Sequence, residues 1–269
     1  MSQKVELPLA QRSWEDLPGH WLLARLGKRV LRPGGRELTS RLLAAAGIGG
    51  ADVVELGPGL GRTAKDIGAL GPATYVGVDD SGAASAMVQE VVEATAGRTV
   101  TADAASTGLA DGSADVVVGE AMLTMQGDKA KRAIVDEAFR VLRPGGRYAI
   151  HELALTPDDL PQDTKDAVRR DLARSIKVNA RPLTVAEWSA LLTDSGFRVT
   201  TVEQAPMALL RPKRVIADEG LFGALRIVGN VLSHPAARNR VLGMRNTFTR
   251  YAGAMTAVAI VAVVPDAAG

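Results

Sequence analysis

No cysteine occurs among the 269 residues, which excludes disulfides, thiolate nucleophiles and cysteine metal sites. Aromatics are scarce at 4%, so the 46% apolar fraction rests on Ala, Val and Leu. That set suits tight packing of helices on a buried parallel sheet. No apolar run approaches the ~20 residues that span a bilayer; the longest, Met255 to Val264, is interrupted by Thr256. Residues Met1 to Arg12 mix charge with proline and lack the continuous apolar core of a signal peptide. A soluble, cytoplasmic chain with no membrane span is expected.

Acidic and basic residues almost balance, at a net +2, yet they are segregated. Residues 1–50 carry eight Lys/Arg against four Asp/Glu, and residues 209–250 carry eight against two, whereas residues 51–208 carry sixteen against twenty-three. Basic flanks closing over an acidic middle would favour an anionic substrate such as a carboxylate or phosphate. The same counts also fit a solvated, arginine-rich surface.

From Asp52 onward, short β-branched runs alternate with helical stretches, the pattern of successive βαβ units. Seven strands are expected, at 52–56, 74–79, 98–102, 115–119, 147–153, 197–203 and 256–264. Pro144-Gly145-Gly146 ends a helix over 129–142 and turns the chain into the fifth strand. Thr184 and Glu187 form a capping box for a helix through Thr193. Two segments break the alternation: Ser13 to Ala46, read as helix, Arg-Pro-Gly-Gly turn and helix, and the stretch between the sixth and seventh strands, helical over 221–231 and 238–248. A structureless connection of that length is unusual, so it reads as a helical insertion. The expected organisation is an N-terminal helical lid over 1–50, a core over 51–208, an insertion capping the substrate over 209–254, and a final strand with its tail over 255–269.

The sharpest signal is Val53-Val54-Glu55-Leu56-Gly57-Pro58-Gly59-Leu60-Gly61, a strand that runs through a glycine turn into a helix. Glycines let the backbone approach a ligand closely, and the helix start offers unpaired N–H groups. A dinucleotide fingerprint needs a third glycine at position 62, which is Arg62, so a nicotinamide-dependent oxidoreductase is disfavoured. The Glu-x-Gly-x-Gly-x-Gly form resembles the first motif of class I S-adenosylmethionine-dependent methyltransferases. Later segments match that family in order: Tyr75-Val76-Gly77-Val78-Asp79, Thr101-Ala102-Asp103-Ala104, Asp115 to Gly119 followed by Glu120-Ala121-Met122-Leu123, and Leu142-Arg143-Pro144-Gly145-Gly146.

The resemblance, to members of the small-molecule, methyltransferase type 11-like kind, covers about two-thirds of the chain. It implies an α/β fold with a Rossmann-like seven-stranded sheet, the last strand antiparallel, with N-terminal helices and a helical insertion between strands six and seven. It also implies S-adenosyl-L-methionine as cofactor, S-adenosyl-L-homocysteine as product, and a cofactor site formed by Glu55, Gly57, Pro58, Gly59, Gly61, Asp79, Asp80, Asp103, Ala104 and Glu120. Asp79, at the strand end, is preferred over Asp80 as the ribose acid, the other capping the following helix. Glu55 holds the amino group of the methionine moiety or only orients the glycine loop. Asp103 binds adenine or is an ordinary turn aspartate.

His151 and Glu152 end the fifth strand, where the carboxyl ends of a parallel sheet line the ligand crevice. His151 is the candidate general base, the alternative being a packed histidine with its hydrogen bonds satisfied. Glu120 is the second candidate, as base or substrate ligand, or else a surface carboxylate. Trp14, Trp21, Met122 and Met125 supply an apolar wall or ordinary core, and all three histidines, His20, His151 and His234, can face one pocket. Arsenite methyltransferases rely on cysteines, and none is present. No Asn/Asp-Pro-Pro-Tyr sequence or long basic tail points to nucleic acid, and no metal site is expected. A small-molecule acceptor and, as a modest expectation, a homodimer complete the reading. A binding protein that holds the cofactor without turnover is the other class.

Overall fold

The computed structural model describes residues 7–93 and 97–266. The first six residues of the charged start and the last three of the tail lie outside them. The chain opens with helices α1 (Gly19–Arg25) and α2 (Gly35–Ala46). There follow β1 (Asp52–Leu56), α3 (Arg62–Ala69), β2 (Thr74–Asp79), α4 (Gly82–Val92) and β3 (Arg98–Thr101). The second half holds β4 (Ala114–Glu120), α5 (Asp128–Val141), β5 (Leu142–Leu155), α6 (Gln162–Ile176), β6 (Leu183–Thr184), α7 (Val185–Thr193) and β7 (Arg198–Pro206). Helices α8 (Pro212–Ser233) and α9 (Pro235–Arg250) precede β8 (Met255–Val263).

The sheet runs β3-β2-β1-β4-β5-β8-β7, with the short β6 paired to β5. β8 is antiparallel to both neighbours and the other pairings are parallel. All seven expected strands are present and the last is antiparallel as the resemblance implied; β6 is an addition of two residues. Chain order reverses between β1 and β4, and ligands of open α/β sheets bind at that kind of switch point, beyond the carboxyl ends of the strands.

Burial on both faces explains the β-branched runs. One face packs Leu38, Leu42, Ala64, Ile67 and Val88 of α2, α3 and α4 against Val53, Val116, Val118 and Ala149. The opposite face packs Val135, Ala138, Trp188 and Leu192 of α5 and α7 against Val54, Val117, Ile150 and Ile260. The capping box forms: Glu187 N–H donates to Thr184 Oγ1 at 3.2 Å and Thr184 N–H to Glu187 Oε2 at 2.8 Å.

The two basic segments fold together. Leu17, Leu22, Leu23 and Leu26 bury against Ala237 and Met244 of α9, with Ile176 of α6 alongside. At Gly220, where α8 kinks with φ of +73°, the acids of that helix turn inward. Glu219 accepts backbone N–H bonds from Arg29 and Val30, both 2.8 Å, and pairs with Lys28; Asp218 accepts from Arg36 N–H at 3.1 Å. The carboxylates of the 209–250 segment are therefore consumed by the N-terminal arm, while Arg211, Lys213, Arg238 and Arg245 stay exposed and Arg214 and Arg240 bond Glu37 and the Glu15 and Leu17 carbonyls. No helix among the described residues is long and apolar enough to cross a membrane.

Candidate functional site

A cavity of about 670 Å3 opens at the carboxyl ends of β1, β2 and β4 and extends under α1, α6 and α9. Its sheet end is built by the glycine turn. Gly57, Gly59 and Gly61 all have positive φ, between +55° and +69°, where a Cβ is strained. Gly57 and Gly59 line the cavity. Gly61 does not: a Cβ there would stand 3.2 Å from Val91 and 3.6 Å from Val88, so this glycine serves the close approach of α4.

Asp79 closes the turn from the next strand. Its Oδ2 accepts the N–H of Gly59 at 3.1 Å and its Oδ1 that of Ser81 at 3.0 Å. Burial raises its pKa, and the two backbone bonds oppose that rise. Asp80 is exposed at the rim, and neither acid caps α4; Ser81 does, accepting from Ala84 N–H at 3.3 Å. The expectation of a capping aspartate is thus corrected. Asp103 and Ala104 reach the same cavity, with Asp103 Oδ1 accepting Ala105 N–H at 2.8 Å in a local turn.

Glu55 lies at the cavity floor, buried, and accepts the Tyr75 hydroxyl at 2.7 Å. Desolvation drives its pKa up to about 8 against the Tyr75 bond, and the nearby charges of Glu120 and Asp79 add to the rise. Glu55 is therefore predominantly neutral at pH 7.

Glu120 ends β4 in a cavity wall, and its carboxylate is saturated from within the protein. Thr39 of α2 donates to Oε1 and Thr63 of α3 to Oε2, both at 2.5 Å; Arg32 Nε lies 3.0 Å from Oε2 and His151 Nδ1 2.9 Å from Oε1. Burial alone would raise its pKa, but the Arg32 guanidinium, His151 and Thr39 outweigh it and hold it at about 2. A carboxylate so placed is a fixed anion.

His151 departs from its expected place. It is fully buried and lies outside the cavity lining. Its Nε2 accepts the Gly34 N–H at 3.1 Å, an obligate donor, so Nδ1 carries the proton and donates to Glu120. Both nitrogens are committed, and the ring offers no lone pair to a substrate: the geometry favours the packed alternative over the general base. Glu152, on the opposite face of the sheet, is also buried and accepts the N–H groups of Met122, Leu123 and Thr124 and the Thr124 hydroxyl, at 2.6–3.0 Å. It shapes the loop after β4, where Ala121 takes a φ of +55°. His234 bonds the Asn230 carbonyl oxygen at 2.8 Å and is likewise absent from the lining.

The histidine that does face the cavity is His20 on α1. Burial lowers its pKa to about 4, so it stands as a neutral imidazole in an apolar chamber. Trp21, Met122, Met125, Leu172, Ile176, Met244 and Phe248 are among its apolar lining; Trp14 instead lies under the Arg25 guanidinium and beside His234. Arg29 stands at the rim and Arg32 in the wall. Sequence reasoning missed Arg32, Thr39, Thr63 and helix α6. Arg32 belongs to the Arg-Pro-Gly-Gly turn and Thr39 to α2, both within the segment read as a lid without site residues.

A family model described as a methyltransferase domain matches residues 54–150. An uncharacterized protein of Haemophilus influenzae is 36% identical over 231 residues, covering 84% of this chain and 89% of that protein. An arsenite methyltransferase of Aquipseudomonas alcaligenes is 32% identical over 163 residues, and the match covers 53% of this chain but only 45% of that enzyme. Among solved structures, a methyltransferase from Geobacter sulfurreducens in complex with S-adenosyl-L-homocysteine aligns with a TM-score of 0.65 at 18% identity, over 92% of this chain and 98% of that one.

Proposed function

We propose that this chain, which belongs to the class I S-adenosylmethionine-dependent methyltransferases, methylates a small, largely apolar acceptor that carries an anionic group. One observation carries the reading: the glycine turn and the acids Glu55, Asp79 and Asp103 occupy one end of a cavity, and the other end is lined by Trp21, Met, Leu, Ile and Phe side chains with His20 and Arg29 among them. Ligand sites of this make-up, mostly apolar with a few placed polar groups, suit small molecules.

The residues fit the cofactor. Gly59 has open space where a Cβ would project, its nearest neighbour being the Gly57 carbonyl oxygen at 3.9 Å, so the backbone is free for close approach. Asp79 keeps lone pairs beyond its two backbone bonds for ribose hydroxyls, with Asp80 beside it at the rim. Asp103 and Ala104 would hold the adenine edge, Gly57 and Pro58 the methionine moiety, and Glu55 its ammonium. Gly61 contributes by seating α4, and Glu120 by locking the Arg32 arm across the sheet mouth. The cofactor, when bound, supplies an electrophilic methyl group. Protein work is then positioning and water exclusion, with the neutral His20 able to accept a hydrogen bond from the acceptor's nucleophilic atom.

The match to an arsenite methyltransferase does not transfer its substrate, because this chain has no cysteine to hold a soft metalloid. Calorimetric titration with S-adenosylhomocysteine, S-adenosylmethionine and NAD tests the cofactor half. A methyl-transfer screen of lipophilic carboxylates and phosphates against neutral analogues of the same size tests the acceptor half. Preference for the anionic member is expected, and indifference to charge would defeat the reading.

A further inference from the structure

We propose that the outward face of the α8–α9 hairpin docks on an anionic lipid surface. Leu221, Leu225, Val228 and Leu232 recur at the i, i+4, i+7, i+11 spacing of a single helix face, and each is more than half exposed. Phe222 beside them is 86% exposed. The same helix buries Ala224 and Ile227 on its other side, so it is apolar toward solvent as well as toward the protein. Single exposed apolar residues are ordinary, but a continuous stripe crowned by a phenylalanine marks an interaction surface.

Charge decides between occupants. The two carboxylates of the 209–250 segment are turned inward onto Lys28, Arg29, Val30 and Arg36, as described above. Arg211, Lys213, Arg238 and Arg245 are exposed, and their side chains pair with no described residue. Arg238 and Arg245 flank exposed Leu242 on one face of α9 at i, i+4, i+7. A stripe of Leu, Val and Phe bordered by unpaired arginines is the composition of a helix that lies in a lipid interface plane. A twofold contact with a second copy would set these cations against their own image with no outward carboxylate from the segment to offset them. The inward side of α9 supplies Met244 and Phe248 to the cavity, so the hairpin is at once its roof and the docking face. An acceptor that partitions into lipid would then be taken up where it is most concentrated.

The test is flotation of the full chain with phosphatidylcholine vesicles and with vesicles of equal parts phosphatidylcholine and phosphatidylserine. Binding to the anionic vesicles alone, weakened by salt, is expected. Phe222→Glu with Leu225→Glu should abolish it while S-adenosylhomocysteine affinity is retained, since both side chains lie far out in solvent. Arg238→Gln and Arg245→Gln should each weaken it about fivefold. No flotation with anionic vesicles overturns the proposal, as does sedimentation showing a wild-type dimer that the Phe222→Glu, Leu225→Glu protein dissociates. Neither result would touch the methyl-transfer reading, which the calorimetry tests separately.

Discussion

Glu55 makes cofactor binding a proton-release reaction. With a pKa of about 8, it holds about 0.9 proton at pH 7 in the cofactor-free protein. An ammonium group placed against it favours the carboxylate, so S-adenosylhomocysteine binding at pH 7 should expel close to that whole proton. By linkage, affinity should be about tenfold higher at pH 7 than at pH 6. Titration calorimetry in phosphate and in Tris, whose ionisation enthalpies differ, reads the proton count as the slope of observed against buffer enthalpy. Glu55→Gln, which still offers an acceptor to the Tyr75 hydroxyl, should bind more weakly with a slope near zero. Tight wild-type binding without proton release would refute the assignment of Glu55 to the ammonium.

The same group affects stability. Its folded pKa lies above the unfolded value of 4.5, so the folded chain keeps a proton that the unfolded chain gives up. Stability of the cofactor-free protein should therefore decline from pH 4.5 to 8 by this route, and Glu55→Gln should remove that decline.

Glu120→Ala removes the nearer counter-charge of buried Arg32, leaving only Asp66 at 3.7 Å, and should cost about 3 kcal/mol, or roughly 10 °C in Tm; a thermal melt within a degree or two of wild type would contradict the network. The Glu120 pKa is depressed, to about 2, so its contribution is full above pH 4.5 and lost as pH falls toward 2, visible as a shallower acid-denaturation curve in Glu120→Gln. His20 acts in the same direction at higher pH: its lowered pKa makes the folded state lose stability as pH drops from 6.5 to 4, and His20→Phe should lose less across that window by chemical denaturation. Asp79→Ala should weaken S-adenosylhomocysteine binding by about 1.5–3 kcal/mol, with Asp80→Ala nearly neutral in the same titration. Equal losses in the two would move the ribose contact to the rim.

The central parallel strands were legible because strands buried on both faces are mostly apolar, and the glycine turn because its backbone demands leave few other residues possible. Local signals, such as the Thr184 capping box, also sit where they were read. His151 shows the limit. Its place in the carboxyl-terminal half of β5 was readable, but pleat parity and the cover of α2 aim it at Thr39 and Gly34 rather than at the crevice, and both are tertiary facts. The Arg32–Glu120–Thr63 cluster joins residues 31 to 88 positions apart, beyond the reach of any periodicity. Helix α6 escaped notice because it is mostly polar, with only Val168 and Leu172 among its apolar residues fully buried.

β8 lies between β5 and β7, not at an edge. During synthesis β7 emerges before the strand it must pair with, and β5 presents an open edge until β8 arrives. The nascent chain therefore carries two unsatisfied sheet edges while the cofactor half is already complete, an exposure that invites chaperone engagement. Loss of a few residues from β8 would remove a shared partner from the middle of the sheet, so short deletions within Met255–Val263 should be disproportionately aggregation-prone.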